Sequence, residues 1–174
     1  MCSRLSIRRA ELPDIPLIRR MAAVVFRSTY ASILSSDQME YMMDLMYSER
    51  SLRDQVCGDG KYFFIAEWDG CPAGYASYEF ERFLGDGRPL FHLQKLYVLP
   101  AYRGLGIGGA MVDVVKADIL AGGHSPARVE LNVNRSNPSV SFYEHLGMHR
   151  DRSGDFDIGN GYFMNDYIYA FDIT

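Results

Sequence analysis

The sequence predicts a mixed α/β (α+β) protein in which helices pack over one central, mostly antiparallel sheet, with residues 1–174 forming a single domain. Three observations carry this expectation. A run of strand-forming residues from Lys61 to Glu81 is folded at Asp69-Gly70, a strong two-residue hairpin signal. Helical spacing dominates before that run, and helix and strand patterns alternate after it. No compositional break, internal repeat or low-complexity stretch divides the 174 residues, which suffice for one substantial core but not for two ordinary domains.

Taken in order, Ser3 to Arg8 alternates Leu5 and Ile7 with polar neighbours, the period of a half-buried strand. Pro13-Asp14 opens a helix whose Ile15, Ile18, Ala22, Val25 and Phe26 mark a core-facing stripe. Ser35 and Gln38 predict a capping box for a second helix, with Met39, Met42, Met43 and Met46 on one face. A short helix follows Ser48 and ends before Gly58-Asp59-Gly60. Strands are predicted at Lys61 to Trp68, Ala73 to Glu81 and Phe91 to Leu99, the last stopped by Pro100. A glycine cluster, Gly104 to Gly109, leads into a helix closed by Ala121-Gly122-Gly123. Arg128 to Val133 reads as a strand, Asn137 to about Leu146 as a helix, and Tyr162 to Ile173 as a final strand after a turn at 157–161.

Composition narrows the function classes. A hydrophobic fraction of 48% and a charged fraction of 23% describe a chain that folds rather than one that stays disordered. The net charge of −4 argues against a nucleic-acid partner, which would call for a basic face, and favours a cationic small molecule. Cys2, Cys57 and Cys71 are odd in number and widely spaced, so they read as free thiols rather than a disulfide framework or zinc ligands. No stretch has the length of a signal-peptide core or a membrane span, which places the expected protein in the cytoplasm with no membrane partner.

The segment from Leu96 to Ala110 is the most informative. A strand delivers the backbone into a turn where missing side chains let several N–H groups converge, and a helix starts there with its positive end and unpaired donors. Such a site binds pyrophosphate, and Arg103 adds a cation beside it; the alternative is a tight strand-to-helix connection with no ligand. Gly108-Gly109-Ala110 stands where a Walker loop would carry Lys and Ser or Thr, so triphosphate hydrolysis is not indicated. The glycine run also imitates a dinucleotide fingerprint, but it lies far from the N-terminus and no repeated βαβ half follows it.

Arg103-Gly104-Leu105-Gly106-Ile107-Gly108 resembles the acetyl-CoA-binding motif of the GNAT acetyltransferase superfamily, Gln/Arg-x-x-Gly-x-Gly/Ala, and matches its three fixed positions. Asn137-Pro138-Ser139-Val140-Ser141-Phe142-Tyr143-Glu144-His145-Leu146-Gly147-Met148 resembles the family's Asn-x-x-Ala/Ser-x-x-Phe-Tyr-x-x-x-Gly-Phe segment, with Met148 replacing the usual Phe. The resemblance spans nearly the whole chain. It implies a sheet that splays open between the fourth and fifth strands, with acetyl-CoA in the split. The pyrophosphate would rest on the N–H groups of Arg103, Gly104, Leu105, Gly106, Ile107, Gly108 and Gly109. The pantetheine arm would pair with Leu96, Tyr97 and Val98 as an added strand does. Side-chain contacts are implied at Asn134 and Asn137, and Tyr143 would protonate the departing sulfur while the Val98 amide polarises the acetyl carbonyl. Phe142-Tyr143 taken alone would read as an aromatic pair packed on the core.

The general base is open: family members often use a strand carboxylate through water, and Glu79 is the first candidate here, with Glu81, His92 and Gln94 nearby in the predicted strands. His145 and His149 straddle Gly147 and do not form a helical metal pair, so no metal is expected. Phe26 to Tyr30 through Tyr41-Met42, together with Ile158 to Tyr167, resemble PaiA-type bacterial polyamine acetyltransferases. That likeness implies a small amine acceptor such as spermidine, held by Tyr30, Tyr41 and acids such as Asp155, Asp157 and Asp166; a buried Tyr30 and a solvated acidic loop are the alternative. Acetylation of a protein or peptide amine, a non-catalytic acyl-CoA-binding regulator and a dinucleotide-binding oxidoreductase are the competing functions. A homodimer is suggested by analogy with the superfamily.

Overall fold

The computed structural model describes residues 4–174, so Cys2 and the expected strand start at Ser3 lie outside the described residues. The strands are β1 (Leu5–Arg9), β2 (Lys61–Trp68), β3 (Cys71–Phe83), β4 (Pro89–Val98), β5 (Ala127–Asn134), β6 (His149–Gly159) and β7 (Tyr162–Ile173). The helices are α1 (Ile15–Tyr30), α2 (Ser36–Tyr47), α3 (Glu49–Cys57), α4 (Ile107–Ala121) and α5 (Val140–His145). One sheet holds all seven strands in the order β1-β2-β3-β4-β5-β7-β6, and every pair is antiparallel except β4 with β5.

Local chemistry explains the elements. α1 begins with Pro16 in its first turn, where a missing N–H costs nothing, and buries the expected stripe together with Met21 and Tyr30. Ser35 caps α2 by accepting from the Gln38 amide at 3.2 Å. The reciprocal half of the predicted box is not made, because the Gln38 side chain instead donates to the Phe163 carbonyl at 3.2 Å and ties α2 to β7. Asp69 and Gly70 both take positive φ, 50° and 78°, as a two-residue hairpin between twisted strands requires. Helices α1 to α3 cover one face of the sheet around Phe63, Ile65 and Tyr75. Helix α4 covers the other with Met111, Val112, Val115 and Ile119.

Two expectations need correction. The sequence reading misses β6 altogether, because this edge strand buries none of its residues and so shows no apolar alternation. The last helix starts at Val140 rather than Asn137, since the Asn137 side chain accepts from the Ser139 amide at 2.9 Å and holds the preceding residues in a turn. Cys57 and Cys71 are free and exposed.

The parallel contact of β4 with β5 decides where a ligand can enter. It is limited to Leu90–His92 against Arg128–Glu130, after which the two strands part. Glu130 closes the joined end: it is buried, accepts from Arg152 Nη2 at 2.8 Å and Arg128 Nε at 3.1 Å, and so links β5 to β6. Burial alone would raise its pKa, but the hydrogen bonds from Arg152 and then Arg128 hold it below the usual glutamate value. An acid with a depressed folded pKa stabilises the fold above its unfolded pKa and loses that contribution as pH falls through the folded one. Glu130→Gln is therefore expected to cost about 2 kcal/mol at pH 7. The difference should shrink as pH falls through the glutamate's depressed folded pKa, measured by urea unfolding. An unchanged midpoint at pH 7 would contradict this reading.

Candidate active site

Where β4 and β5 separate, a cavity of about 690 Å³ opens between the sheet, the start of α4, the 137–143 segment and the end of α1. That volume lies in the range of small-molecule sites. Its walls are Leu93, Gln94 and Leu96 to Val98 of β4, Leu131 to Val133 of β5, and Ser28 to Tyr30 with Ser32.

At one end lies an anion cradle. Gly104 and Gly106 have φ of 81° and 78°, left-handed conformations that favour glycine, and Gly106 immediately precedes α4. The Arg103 amide, expected in the cradle, bonds back to the Pro100 carbonyl at 3.4 Å, and the next amide to bond back is that of Ala110, to the Gly106 carbonyl at 3.1 Å. Among the described residues, the N–H groups of residues 104–109 meet no backbone acceptor. The first turn of α4 carries no acidic side chain to compete for them. Free amides at the positive end of a 15-residue helix suit a diphosphate. Gly108 has a separate reason to be glycine: a Cβ there would lie 2.9 Å from the Phe142 ring, so its absence lets α5 pack against α4. The Arg103 guanidinium is turned toward the end of β4, where Nε donates to the Val98 carbonyl at 3.3 Å.

The β4 edge facing the split is open. The Leu99 amide bonds to the Ala73 carbonyl of β3 at 2.8 Å, so strand alternation turns the Val98 and Leu96 amides the other way, toward the gap. An extended, amide-bearing arm fits such an edge.

Hydroxyls crowd the middle of the cavity. Tyr143 of α5 is 8% exposed and lines the cavity, and no hydrogen bond within the described residues occupies its hydroxyl. Burial, with Tyr30 as the next influence, pushes its pKa well above the ordinary phenol value. The Tyr30 and Tyr97 hydroxyls lie 3.1 Å apart, and burial raises both of their pKa values as well. These phenols therefore stay protonated at neutral pH.

The structure gathers most, but not all, of the residues the sequence singles out. Leu96, Tyr97, Val98, Arg103, Gly104, Gly106, Ile107, Gly108, Asn137, Tyr143 and Tyr30 line the cavity. Leu105 and Gly109 belong to the same turn without lining it. Asn134 also stays outside the lining, and its side chain accepts from the Ser136 amide at 2.9 Å as a turn former. Glu79 lies one residue removed: its Oε1 accepts at 2.8 Å from Gln94, which does line the cavity, and its Oε2 is 3.8 Å from Lys61 Nζ. Tyr41 is elsewhere, donating to the Ile158 carbonyl at 2.7 Å, and thus joins α2 to β6. Asp155 pairs with Arg135 at 2.9 Å, and Asp157 accepts from the Gly159 amide at 2.8 Å. Asp166 is buried on β7 and accepts from Asn132 at 3.2 Å. Sequence reading passed over Asn132, which lines the cavity; the alternation of Glu130, Asn132 and Asn134 with Leu131 and Val133 was the signal that could have marked it.

Comparison with known proteins adds four findings. The acetyltransferase (GNAT) family model matches residues 26–148. An uncharacterised N-acetyltransferase of Mycobacterium tuberculosis is 27% identical over 158 residues, which is 90% of this chain and 96% of the relative. Among solved structures, the PaiA N-acetyltransferase of Thermoplasma acidophilum in complex with coenzyme A superposes with a TM-score of 0.81 at 21% identity, over 98% of this chain and 100% of that one. Naa50 of Arabidopsis thaliana in complex with the bisubstrate analogue CoA-Ac-MVNAL gives 0.70 at 15% identity, over 98% and 100%.

Proposed function

This chain belongs to the acetyltransferase (GNAT) family, and from that premise we propose that it transfers the acetyl group of acetyl-CoA to a primary amine of a small cationic acceptor, a polyamine such as spermidine. One observation carries the reading: the unbonded amides of residues 104–109 stand at one end of an open β4 edge that leads to the free hydroxyl of Tyr143. The donor set fits the coenzyme. The amides and the α4 dipole take its diphosphate, and the Leu96 and Val98 backbone takes its amide-rich arm.

Acetyl-CoA supplies the acetyl group as a thioester, which a neutral amine attacks without a covalent enzyme intermediate. The chain's own groups do the rest. Of the two gap-facing β4 amides, Leu96 and Val98, one pairs with the arm and the other polarises the acetyl carbonyl. The amine nitrogen forms its bond to the acetyl carbon and loses one proton to water, the carbon–sulfur bond breaks with its electron pair on sulfur, and Tyr143 gives that sulfur a proton and regains one from water. Because burial raises the Tyr143 pKa, the acid stays loaded at alkaline pH. We expect kcat to show no alkaline fall up to about pH 10; a descending limb between pH 8 and 9 would remove Tyr143 from the acid role.

The acceptor assignment draws on the tie between α2 and the β6–β7 hairpin, taken here as the acceptor side. Beyond Ser32, which borders the cavity, α2 is fastened to the β6–β7 hairpin by Gln38 on the Phe163 carbonyl and Tyr41 on the Ile158 carbonyl. Gly159 approaches Tyr41 so closely that a Cβ would lie 2.6 Å from its hydroxyl. An extended peptide needs an open groove there, whereas a slender polyamine does not. Thiol release from acetyl-CoA should therefore be fast with spermidine and slow with peptides bearing a free N-terminus. Turnover of peptides alone would replace the acceptor and keep the reaction.

A further inference from the structure

One buried charge next to the cavity has no counter-charge. Asp166 is 3% exposed; its Oδ2 accepts from Asn132 Nδ2 at 3.2 Å, while its fully shielded Oδ1 has no hydrogen-bond partner. The charged and titratable groups around it are Arg135, which is paired with Asp155 at 2.9 Å, His92 of β4 and Tyr30 of α1; none of them bonds to it. An ionised carboxyl left half-satisfied in the interior is expensive, and a native fold that keeps one has a use for it. Burial raises its pKa, with the Asn132 bond opposing.

Asn132 both bonds this carboxylate and lines the cavity, which Asp166 itself does not. An ionised carboxylate only accepts, so Asn132 must offer it the NH₂ end of its amide. Its carbonyl oxygen is thereby left over, has no partner within the described residues, and belongs to an exposed residue that lines the cavity. Glu79, by contrast, has both oxygens facing donors, Gln94 and Lys61.

We propose that Asn132 and Asp166 together receive the attacking amine: the Asn132 carbonyl accepts one of its N–H groups, and the Asp166 charge behind it stabilises the positive charge that the nitrogen gains as it bonds to carbon. This rests on the acetyl-transfer reading. Asn132 touches the acceptor and is the catalytic residue of the pair, whereas Asp166 acts through it as a positioning residue. The shielded carboxylate takes no proton; the one that the nitrogen sheds passes to water at the cavity mouth. A buried negative charge that is strongest where positive charge develops is worth far more than one in water.

The test is Asp166→Asn, which keeps the shape and removes the charge. Turnover of spermidine is expected to fall at least tenfold, as roughly the loss of one preorganised electrostatic contact, mainly in kcat, with the acetyl-CoA dissociation constant unchanged. Because the variant also removes an unpaired buried charge, its Tm should rise by roughly 2–4 °C. A merely structural aspartate would lose stability and activity together, so a lower Tm, or failure to fold, overturns the proposal. Asn132→Ala, which keeps the charge and deletes the carbonyl, should reproduce the fall in turnover at unchanged acetyl-CoA affinity. Wild-type rates in both variants overturn the proposal alone, whereas a wild-type protein inert toward every amine overturns the transfer reading and the proposal with it.

Discussion

Tyr143→Phe is expected to lower kcat by about 100-fold to 1,000-fold and to leave the acetyl-CoA dissociation constant within about twofold of wild type. The ring packs between α5 and the sheet core, beside Phe142 and Tyr169, and phenylalanine preserves that packing. Only the hydroxyl is lost, and no hydrogen bond within the described residues depends on it. With Tyr143 as the proposed acid, the thiolate then leaves without a proton from the protein, which slows the chemical step and spares the ground-state complex. Stopped-flow thiol release with calorimetry of acetyl-CoA binding separates the two effects. Unchanged kcat would transfer the acid role to Tyr30 or Tyr97, the other hydroxyls of the cluster.

Gly106→Val produces the second large effect, on binding. The φ of 78° at Gly106 is strained for any residue with a side chain and most of all for a β-branched one, at about 1–3 kcal/mol. A Cβ at Gly106 meets nothing within 4 Å, so the rest of the fold tolerates the change and the damage stays in the cradle. Relief of the strain rotates the amides before α4 away from their common target, and the new methyl groups occupy the cavity wall. We expect acetyl-CoA affinity to fall at least 50-fold, roughly 2.4 kcal/mol. The Tm should drop by only a few degrees. Equal affinity in the variant would show that the diphosphate sits elsewhere.

The parts of this protein that the sequence made legible are those written in short-range signals. Asp69-Gly70, Ser35 as the cap of α2, and the glycines before α4 each impose a local conformation, and each adopts it, although Gln38 leaves its half of the expected box for Phe163. The split between β4 and β5 entered by resemblance, and the pairing register puts it after His92 and Glu130. What escaped sequence reading depends on long-range geometry. β6 is an exposed edge strand without apolar alternation, and its place beside β7 is fixed by pairing partners such as Arg150 with Tyr169, far apart in the chain. Tyr41 and Asp166 both belong to segments that resemble polyamine acetyltransferases, yet one hydroxyl is bound to Ile158 while the other side chain lies behind Asn132. Side-chain direction, which spacing alone does not determine, separates them. The alternation around Asn132 marks a polar strand face, but its partner, a carboxylate on another strand, is visible only in the fold.

The most direct test of the whole account is amide NMR of the protein titrated with coenzyme A. Hydrogen bonds from the 104–109 backbone to the diphosphate should shift those amide resonances downfield more than any others, with Gly106 and Gly108 moving furthest. Saturable binding that left these six resonances in place, or no binding at all, would contradict it.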